Sequence, residues 1–222
     1  MNKLNHVAFI MDGNGRWGLK KKRSRNFGHT SGVKTVSKIV EVSTKLKIPI
    51  LTFYVFSTEN WKRPKSEINF LFNLIISYFK KELKNVISNG IKIHIIGNIN
   101  NLPSKIKQTL KEAINETKKN KKIIINLAIN YGSKDEIIDA SKKIKGKINI
   151  KSLESNLYTQ NMPNPDMLIR TGGHKRLSNF MLWQLAYAEI YFLDKLWPDF
   201  NNQDFVKIIK KFEREKRNFG SI

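Results

Sequence analysis

The chain has 222 residues, 40% hydrophobic and 10% aromatic, enough apolar material for one substantial core and too much for a disordered segment. Its 41 Lys and Arg outweigh 18 Asp and Glu to give a formal charge of +23, which raises a nucleic-acid partner as an option to be tested. The absence of Cys excludes disulfides, thiolate metal sites and cysteine nucleophiles, and fits a reducing compartment.

Met1 to Asn5 is too short and polar for a signal peptide. His6–Met11 is an apolar run that stops at the turn formers Asp12-Gly13-Asn14-Gly15, which predicts a buried strand ending in a loop. Apolar residues then recur at Val33, Val36, Val40 and Leu46, predicting a helix from about Gly28 to Lys47. Ile50–Phe56 is a second strand, and 57–60 a loop or helix entry. A long helix opens near Pro64 and Ser66 and runs to about Asn89. Its stripe of Ile68, Leu71, Phe72, Ile75, Phe79, Leu83 and Val86 is widened by Phe70, Leu74, Ile76 and Tyr78, so it is buried on more than one side or lines an apolar channel.

Strands at Ile91–Gly97 and Ile123–Tyr131 alternate with helices at Pro103–Lys119 and Ser133–Lys145. Lys142–Lys151 reads as a surface loop. Pro165–Arg170 is a fifth strand, Met181–Ala186 a short helix, Glu189–Leu193 a last strand and Asn202–Arg217 a terminal amphipathic helix. Strict strand–helix alternation with continuous apolar strands predicts a single α/β domain over 1–222, with a largely parallel sheet covered by helices on both faces. No apolar run approaches the roughly 20 residues that cross a bilayer, and the expectation is a soluble, cytoplasmic protein.

Ligands of parallel α/β sheets bind beyond the carboxyl ends of strands, and three loops there carry unusual residues. The first, Met11–Trp17, joins an acid, two glycines and Arg16; backbone N–H groups at a helix start beside an arginine suit phosphate. Asp12 would repel phosphate unless a divalent cation lay between them, which points to Mg²⁺; the competing reading is a turn or helix cap. The second, 57–64, and the third, 170–178, again gather hydroxyls, an amide and arginine. Only eight of the 41 basic residues are Arg, and five of these, Arg16, Arg25, Arg63, Arg170 and Arg176, fall in or beside the three loops. Lysine serves wherever any cation will do, whereas a guanidinium grips oxyanions bidentately. This placement predicts two or more diphosphates, against the alternative of weak surface ion pairs. His29 and His174 are either ligand-facing or structural; Glu189 is either a site carboxylate or an edge residue.

The segments HVAFIMDGNGRW (6–17), RNFGH (25–29), FSTENWKRP (56–64), NYG (130–132), DMLIRTGG (166–173) and RLSNFMLWQLAYAEIYFLDKLWPDF (176–200) closely resemble the cis-prenyltransferases, or isoprenyl transferases, and within them the bacterial undecaprenyl diphosphate synthases. The motifs span almost the whole chain in family order. The resemblance implies condensation of isopentenyl diphosphate onto an allylic diphosphate such as farnesyl diphosphate with new cis double bonds, Mg²⁺ dependence, a homodimer and a hydrophobic tunnel for the growing chain. It implies that Asp12 binds the metal and helps the allylic diphosphate depart, and that Glu189 is the second metal carboxylate. Gly13, Asn14, Gly15, Arg16 and Trp17, with Arg25, His29 and Arg63, would form the allylic pocket. Ser57, Thr58, Glu59 and Trp61 would assist substrate binding, with Asn60 as proton acceptor, and Arg170, Arg176, Leu177 and Ser178 would hold isopentenyl diphosphate. Two features depart from the family pattern: His174-Lys175 stands where a Glu followed by a polar residue is common, and the stretch from Tyr131 to Asp166 is short. The implied partners are diphosphate esters and no nucleic acid, and the remaining positive charge suits an anionic membrane at the inner leaflet.

Overall fold

The computed structural model describes residues 2–217. Six strands form one wholly parallel sheet: β1 (His6–Ile10), β2 (Ile50–Ser57), β3 (Ile91–Ile96), β4 (Ile123–Tyr131), β5 (Met167–Arg170) and β6 (Glu189–Phe192), in the order β3-β4-β2-β1-β5-β6. The chain therefore winds outward from β1 in both directions, and the loops after β1, β2 and β5 meet at its centre.

Alternation along the strands divides the core in two. Val7 and Phe9 of β1 point into the larger apolar cluster, closed by helices α2 (Arg25–Lys45), α3 (Lys65–Ser88), α4 (Ser104–Thr117) and α7 (Asn202–Arg214), where Phe9, Phe53, Trp197 and Phe205 pack ring against ring. Ala8 and Ile10 point to the other face, covered by Tyr131, Phe180, Met181 and Leu185; α5 (Ser133–Lys143) and α6 (Ile150–Glu154) pack beyond them around Ala140 and Leu153. Burial on both faces explains why the strands are continuously apolar.

Four local readings of the sequence are corrected. The stretch after Asp12 is a short helix, α1 (Asn14–Lys20), rather than an open loop. Gly13 takes φ 105° to enter it, a conformation closed to most side chains, and a Cβ there would lie 2.7 Å from Leu196. The segment 181–186 is a series of turns: Ser178, Asn179 and Met181 all have positive φ, and the Leu182 N–H donates to Ser133 Oγ at 2.9 Å instead of to a helical carbonyl. The 142–151 loop is shortened at both ends, by α5 running to Lys143 and by α6 starting at Ile150, whose N-cap Asn149 accepts from the Ser152 N–H. The terminal helix stops at Arg214, not at 217.

His6 sits wholly buried where β1, β2 and the 163 loop meet, its Nδ1 2.8 Å from the Pro163 carbonyl and its Nε2 2.7 Å from Thr52 Oγ1. Burial pushes its pKa down to about 4, so it packs as a neutral ring.

Candidate active site

Two cavities meet beneath the carboxyl ends of β1 and β2. The first, of about 320 Å³, is polar and is floored by Asp12, Asn14 and His29. Ser57, Asn60 and Arg63 enter it from the β2 loop, and Arg170, Arg176 and Ser178 from the β5 loop. The second is apolar and lies between the sheet and helices α2 and α3, walled by residues such as Val36, Val40, Leu74, Ile75 and Phe79. Met11, Asn14, His29, Val55 and Leu71 line both cavities, so the charged and the greasy space adjoin across these five side chains.

Asp12 is the hub of the polar end. Arg170 Nη2 donates to Asp12 Oδ2 at 3.0 Å, and Arg16 Nη2 to Oδ1 at 3.2 Å. Thr171 Oγ1 donates to the Asp12 carbonyl at 2.8 Å, tying the β1 loop to the β5 loop. Arg170 is 3% exposed; its Nη1 donates to Ser178 Oγ at 2.8 Å and to the Arg176 carbonyl, and its Nε has no partner. Arg16 also donates to the Gly172 carbonyl at 2.7 Å. Gly172 holds φ 89°, and a Cβ on it would lie 2.6 Å from that guanidinium, so this turn requires glycine.

A second charged cluster adjoins the cavities through His29, which lines both, and Arg63, which lines the polar one. Glu67, in the first turn of α3, accepts from Arg25 Nε at 3.1 Å and Nη2 at 3.3 Å and from Arg63 Nη1 at 3.1 Å, and lies 3.4 Å from His29 Nε2. Burial alone would raise its pKa, but the bonds from Arg25 and the charges of Arg25, Arg63 and His29 outweigh that and hold it below the usual carboxylate range. Burial depresses His29, with Glu67 opposing only in part. Two of the five site arginines therefore meet at a carboxylate that the scarcity of acid concealed.

A sequence model of the undecaprenyl diphosphate synthase family matches residues 10–220. The chain belongs to that family. It is 45% identical to the isoprenyl transferase of Fusobacterium nucleatum over 98% of this chain and 96% of the relative, and 45% identical to that of Rickettsia bellii over 99% of each. Its fold superimposes on lavandulyl diphosphate synthase from Lavandula x intermedia in complex with dimethylallyl diphosphate (TM-score 0.94, 31% identity, 98% of each chain). It also superimposes on a probable undecaprenyl diphosphate synthase from Campylobacter jejuni (TM-score 0.86, 39% identity, 100% of each).

Of the positions that the sequence matches to this prenyltransferase family, the structure gathers Asp12, Asn14, His29, Ser57, Asn60, Arg63, Arg170, Arg176 and Ser178 around the polar cavity. Of the others, Arg16 bonds Asp12 and Arg25 bonds Glu67 without lining the cavity. Trp17 donates from Nε1 to Asp199 at 2.7 Å and stacks on Phe27, while Trp61 donates to Asn130 at 2.8 Å and packs on Phe56 and Phe72. Thr58 donates to Asp135 and Glu59 accepts from Asn179, which pins the β2 loop to the first turn of α5 and to the loop after β5. Leu177 packs into the second core. Gly13 and Gly15 shape the backbone of α1, and a Cβ on Gly15 would lie 2.7 Å from the Arg25 guanidinium. His174 turns into the cavity.

Glu189 is placed elsewhere. It stands opposite Met167 at the amino end of the β5–β6 pair, whereas Arg170, beside Asp12, stands at the carboxyl end. Its nearest cation is Arg217 at 3.6 Å. Within one chain Asp12 and Glu189 do not meet, and among the described residues no three His, Asp or Glu side chains converge on a metal position. Sequence reasoning missed Glu67, although its spacing of four from Arg63 at a helix start was a usable signal, and Tyr54, whose hydroxyl bonds the Tyr131 and Ser178 carbonyls at the rim.

Proposed function

We propose that this protein condenses isopentenyl diphosphate repeatedly onto an allylic diphosphate such as farnesyl diphosphate, yielding a long cis-polyprenyl diphosphate such as undecaprenyl diphosphate, the lipid carrier of cell-wall glycan synthesis. The observation that carries this reading is a guanidinium-lined polar cavity adjoining an apolar one: a charged head and a growing hydrocarbon tail need adjoining compartments. Each buried CH₂ of the tail contributes about 0.8 kcal/mol.

The allylic C–O bond breaks and the diphosphate leaves with the electron pair. The isopentenyl π-bond forms the new C–C bond, and a proton is lost to restore a double bond. Arg63, held with Arg25 on Glu67, lines the cavity where the departing charge develops; Arg170, Arg176 and Ser178 orient the isopentenyl diphosphate. Fixed donors already aimed at developing charge require little reorganisation during the reaction. Asn60, matched by family to the proton acceptor, has no titratable group, and its Oδ1 accepts from the Ser57 N–H at 3.3 Å. It therefore positions donors toward the cavity, and the released diphosphate is the base at hand.

Asp12 suits Mg²⁺. Its two oxygens take one arginine bond each and keep acceptor sites, which fits a cation carried by one carboxylate and substrate phosphates rather than by a protein cage. Bound there, Mg²⁺ would neutralise the departing diphosphate. Incubation of the purified protein with farnesyl diphosphate, radiolabelled isopentenyl diphosphate and Mg²⁺ tests the reading. Chain extension that Asp12→Ala abolishes supports it; no extension, or extension indifferent to that substitution, overturns it.

The same reading includes a homodimer. β6 is an edge strand with Ile190 38% exposed, a surface prone to pairing, and Glu189 can serve a metal at Asp12 only by reaching a second copy. Mixing an Asp12→Asn chain with a Glu189→Gln chain then restores part of the activity that each lacks alone. A monomer by sedimentation, or no restoration after subunit exchange, refutes the dimer role.

A further inference from the structure

The apolar cavity is small for the product just proposed. Its volume of about 160 Å³ is close to that of engineered protein cavities of ~150 Å³ that take up one benzene, so a polyprenyl chain outgrows it within a few additions. The cavity runs along the strands, from Met11 at the carboxyl end of β1 to Ile91 and Ile93 at the amino end of β3. There it adjoins another cavity of about 510 Å³, between the last turns of α2 and α3, and the two share Val40, Tyr78, Val86 and Ile91. The rim of this outer cavity includes exposed Ser37, Asn85 and Asn89 and half-buried Thr44. A chain displaced past Tyr78 emerges here, at the pole opposite Asp12.

That pole is lysine-rich. Lys47 follows α2, Lys84 lies in the last turns of α3, and Lys119, Lys121 and Lys122 lie between α4 and β4; all are exposed and make no ion pair with a described residue. The two acids at the opening are already engaged, Glu41 by Lys45 at 2.7 Å and Glu82 by Lys81 at 3.9 Å. Between Lys45 and Lys47 stands Leu46, a large apolar side chain 46% exposed. Unpaired lysines around an apolar side chain suit the headgroup region of an anionic bilayer, with the charges at the phosphates and the leucine inserted below them. Among the described residues no helix is long and apolar enough to cross a membrane, so contact here would be peripheral.

We infer that the opening between the last turns of α2 and α3 is a second mouth of the product channel and that its lysine rim docks on anionic membrane, delivering the emerging tail to the bilayer. This rests on the reading of the apolar cavity as the tail channel. It also leaves the β6 edge, at the far side of the sheet from β3, available to a second copy.

The test is co-sedimentation of the full-length protein with phosphatidylcholine vesicles, with and without phosphatidylglycerol. Wild type binds only the anionic vesicles, less as salt rises. The triple variant Lys84→Glu, Lys119→Glu, Lys121→Glu loses affinity roughly tenfold or more, and Leu46→Gln weakens binding without changing condensation in detergent. A matched triple on the opposite face, Lys142→Glu, Lys145→Glu, Lys147→Glu, loses less than about twofold. Equal losses from both triples, or wild type that ignores phosphatidylglycerol, overturn the assignment. Condensation in detergent is measured in parallel: its absence from wild type defeats the proposed activity, whereas its presence with no vesicle binding defeats only the docking face.

Discussion

Glu67→Gln removes the charge of a carboxylate that touches Arg25, Arg63 and His29 together and keeps the side-chain shape. Three N–H bonds at 3.1 to 3.3 Å then meet a neutral amide whose own NH₂ repels one of the guanidinium groups. A hydrogen bond to a charged group contributes about 1.5–3 kcal/mol when well buried, but Arg25 and Arg63 are 47% and 34% exposed, and screening reduces each bond toward about 1 kcal/mol. The expected loss is about 2–3 kcal/mol, a fall in Tm of roughly 5–10 °C for a chain of this size. Urea unfolding reads the stability, and steady-state kinetics should show KM for the allylic diphosphate rising as Arg25 and Arg63 lose their shared anchor, with KM for isopentenyl diphosphate nearly unchanged. The pH dependence has a fixed sign: Glu67 is held below its unfolded pKa, so its contribution is complete above the ordinary carboxylate range and vanishes as pH falls through the lowered folded value. An unchanged urea midpoint with unchanged kinetics would refute the claim that Glu67 organises the allylic side.

Three further outcomes follow from the geometry. Arg170→Lys replaces a planar fork spanning Asp12 and Ser178 by a point charge; kcat/KM for isopentenyl diphosphate should fall by about tenfold or more, and a variant within twofold of wild type argues against a bidentate role. His6, held neutral with a folded pKa of about 4, resists a proton that the unfolded chain accepts near pH 6.5. Stability is therefore complete above about pH 6.5 and declines by about 3 kcal/mol as pH falls to 4, a slope that His6→Gln should lessen in unfolding measured across that window. Inorganic pyrophosphate at a hundred times its Kd should stabilise the fold by about 2.7 kcal/mol, seen as a rise in Tm that Arg170→Lys reduces; a rise untouched by that substitution places the anion elsewhere.

The fold was legible because the strands alternate between two buried faces and the helices keep regular apolar spacing, signals carried by neighbours a few residues apart. The failures were local contests that neighbours do not decide. Residues 181–186 have helical composition, yet Ser133, almost fifty positions away, takes the Leu182 N–H, and left-handed Ser178, Asn179 and Met181 interrupt propagation. Similarly, α1 forms where glycines and Asn advertise a turn because Gly18 and Gly28 let its backbone pack directly on α2, a tertiary contact with no trace in periodicity.

In the site, the arginines were legible and their partners were not. Rarity made the arginines stand out: eight guanidinium groups in so basic a chain mark positions that drift toward lysine did not erase. Arg170 shows the physical reason, since at 3% exposure it satisfies Asp12, Ser178 and a backbone carbonyl from one rigid plane, which a flexible ammonium cannot do. Glu67 went unread because its three partners come from α2 and from the loop before α3. Glu189 reads in the sequence as either a site carboxylate or an edge residue, and one chain sets it at the amino end of β6, away from Asp12. Arg63, Arg170 and Arg176 line the polar cavity against the single carboxylate of Asp12, a surplus of two positive charges among the described residues. That surplus converges on one recess, with Arg170 3% exposed and fixed on Asp12, and donors gathered in this way suit a multiply charged phosphate ester better than a nucleic acid spread over the lysine surface.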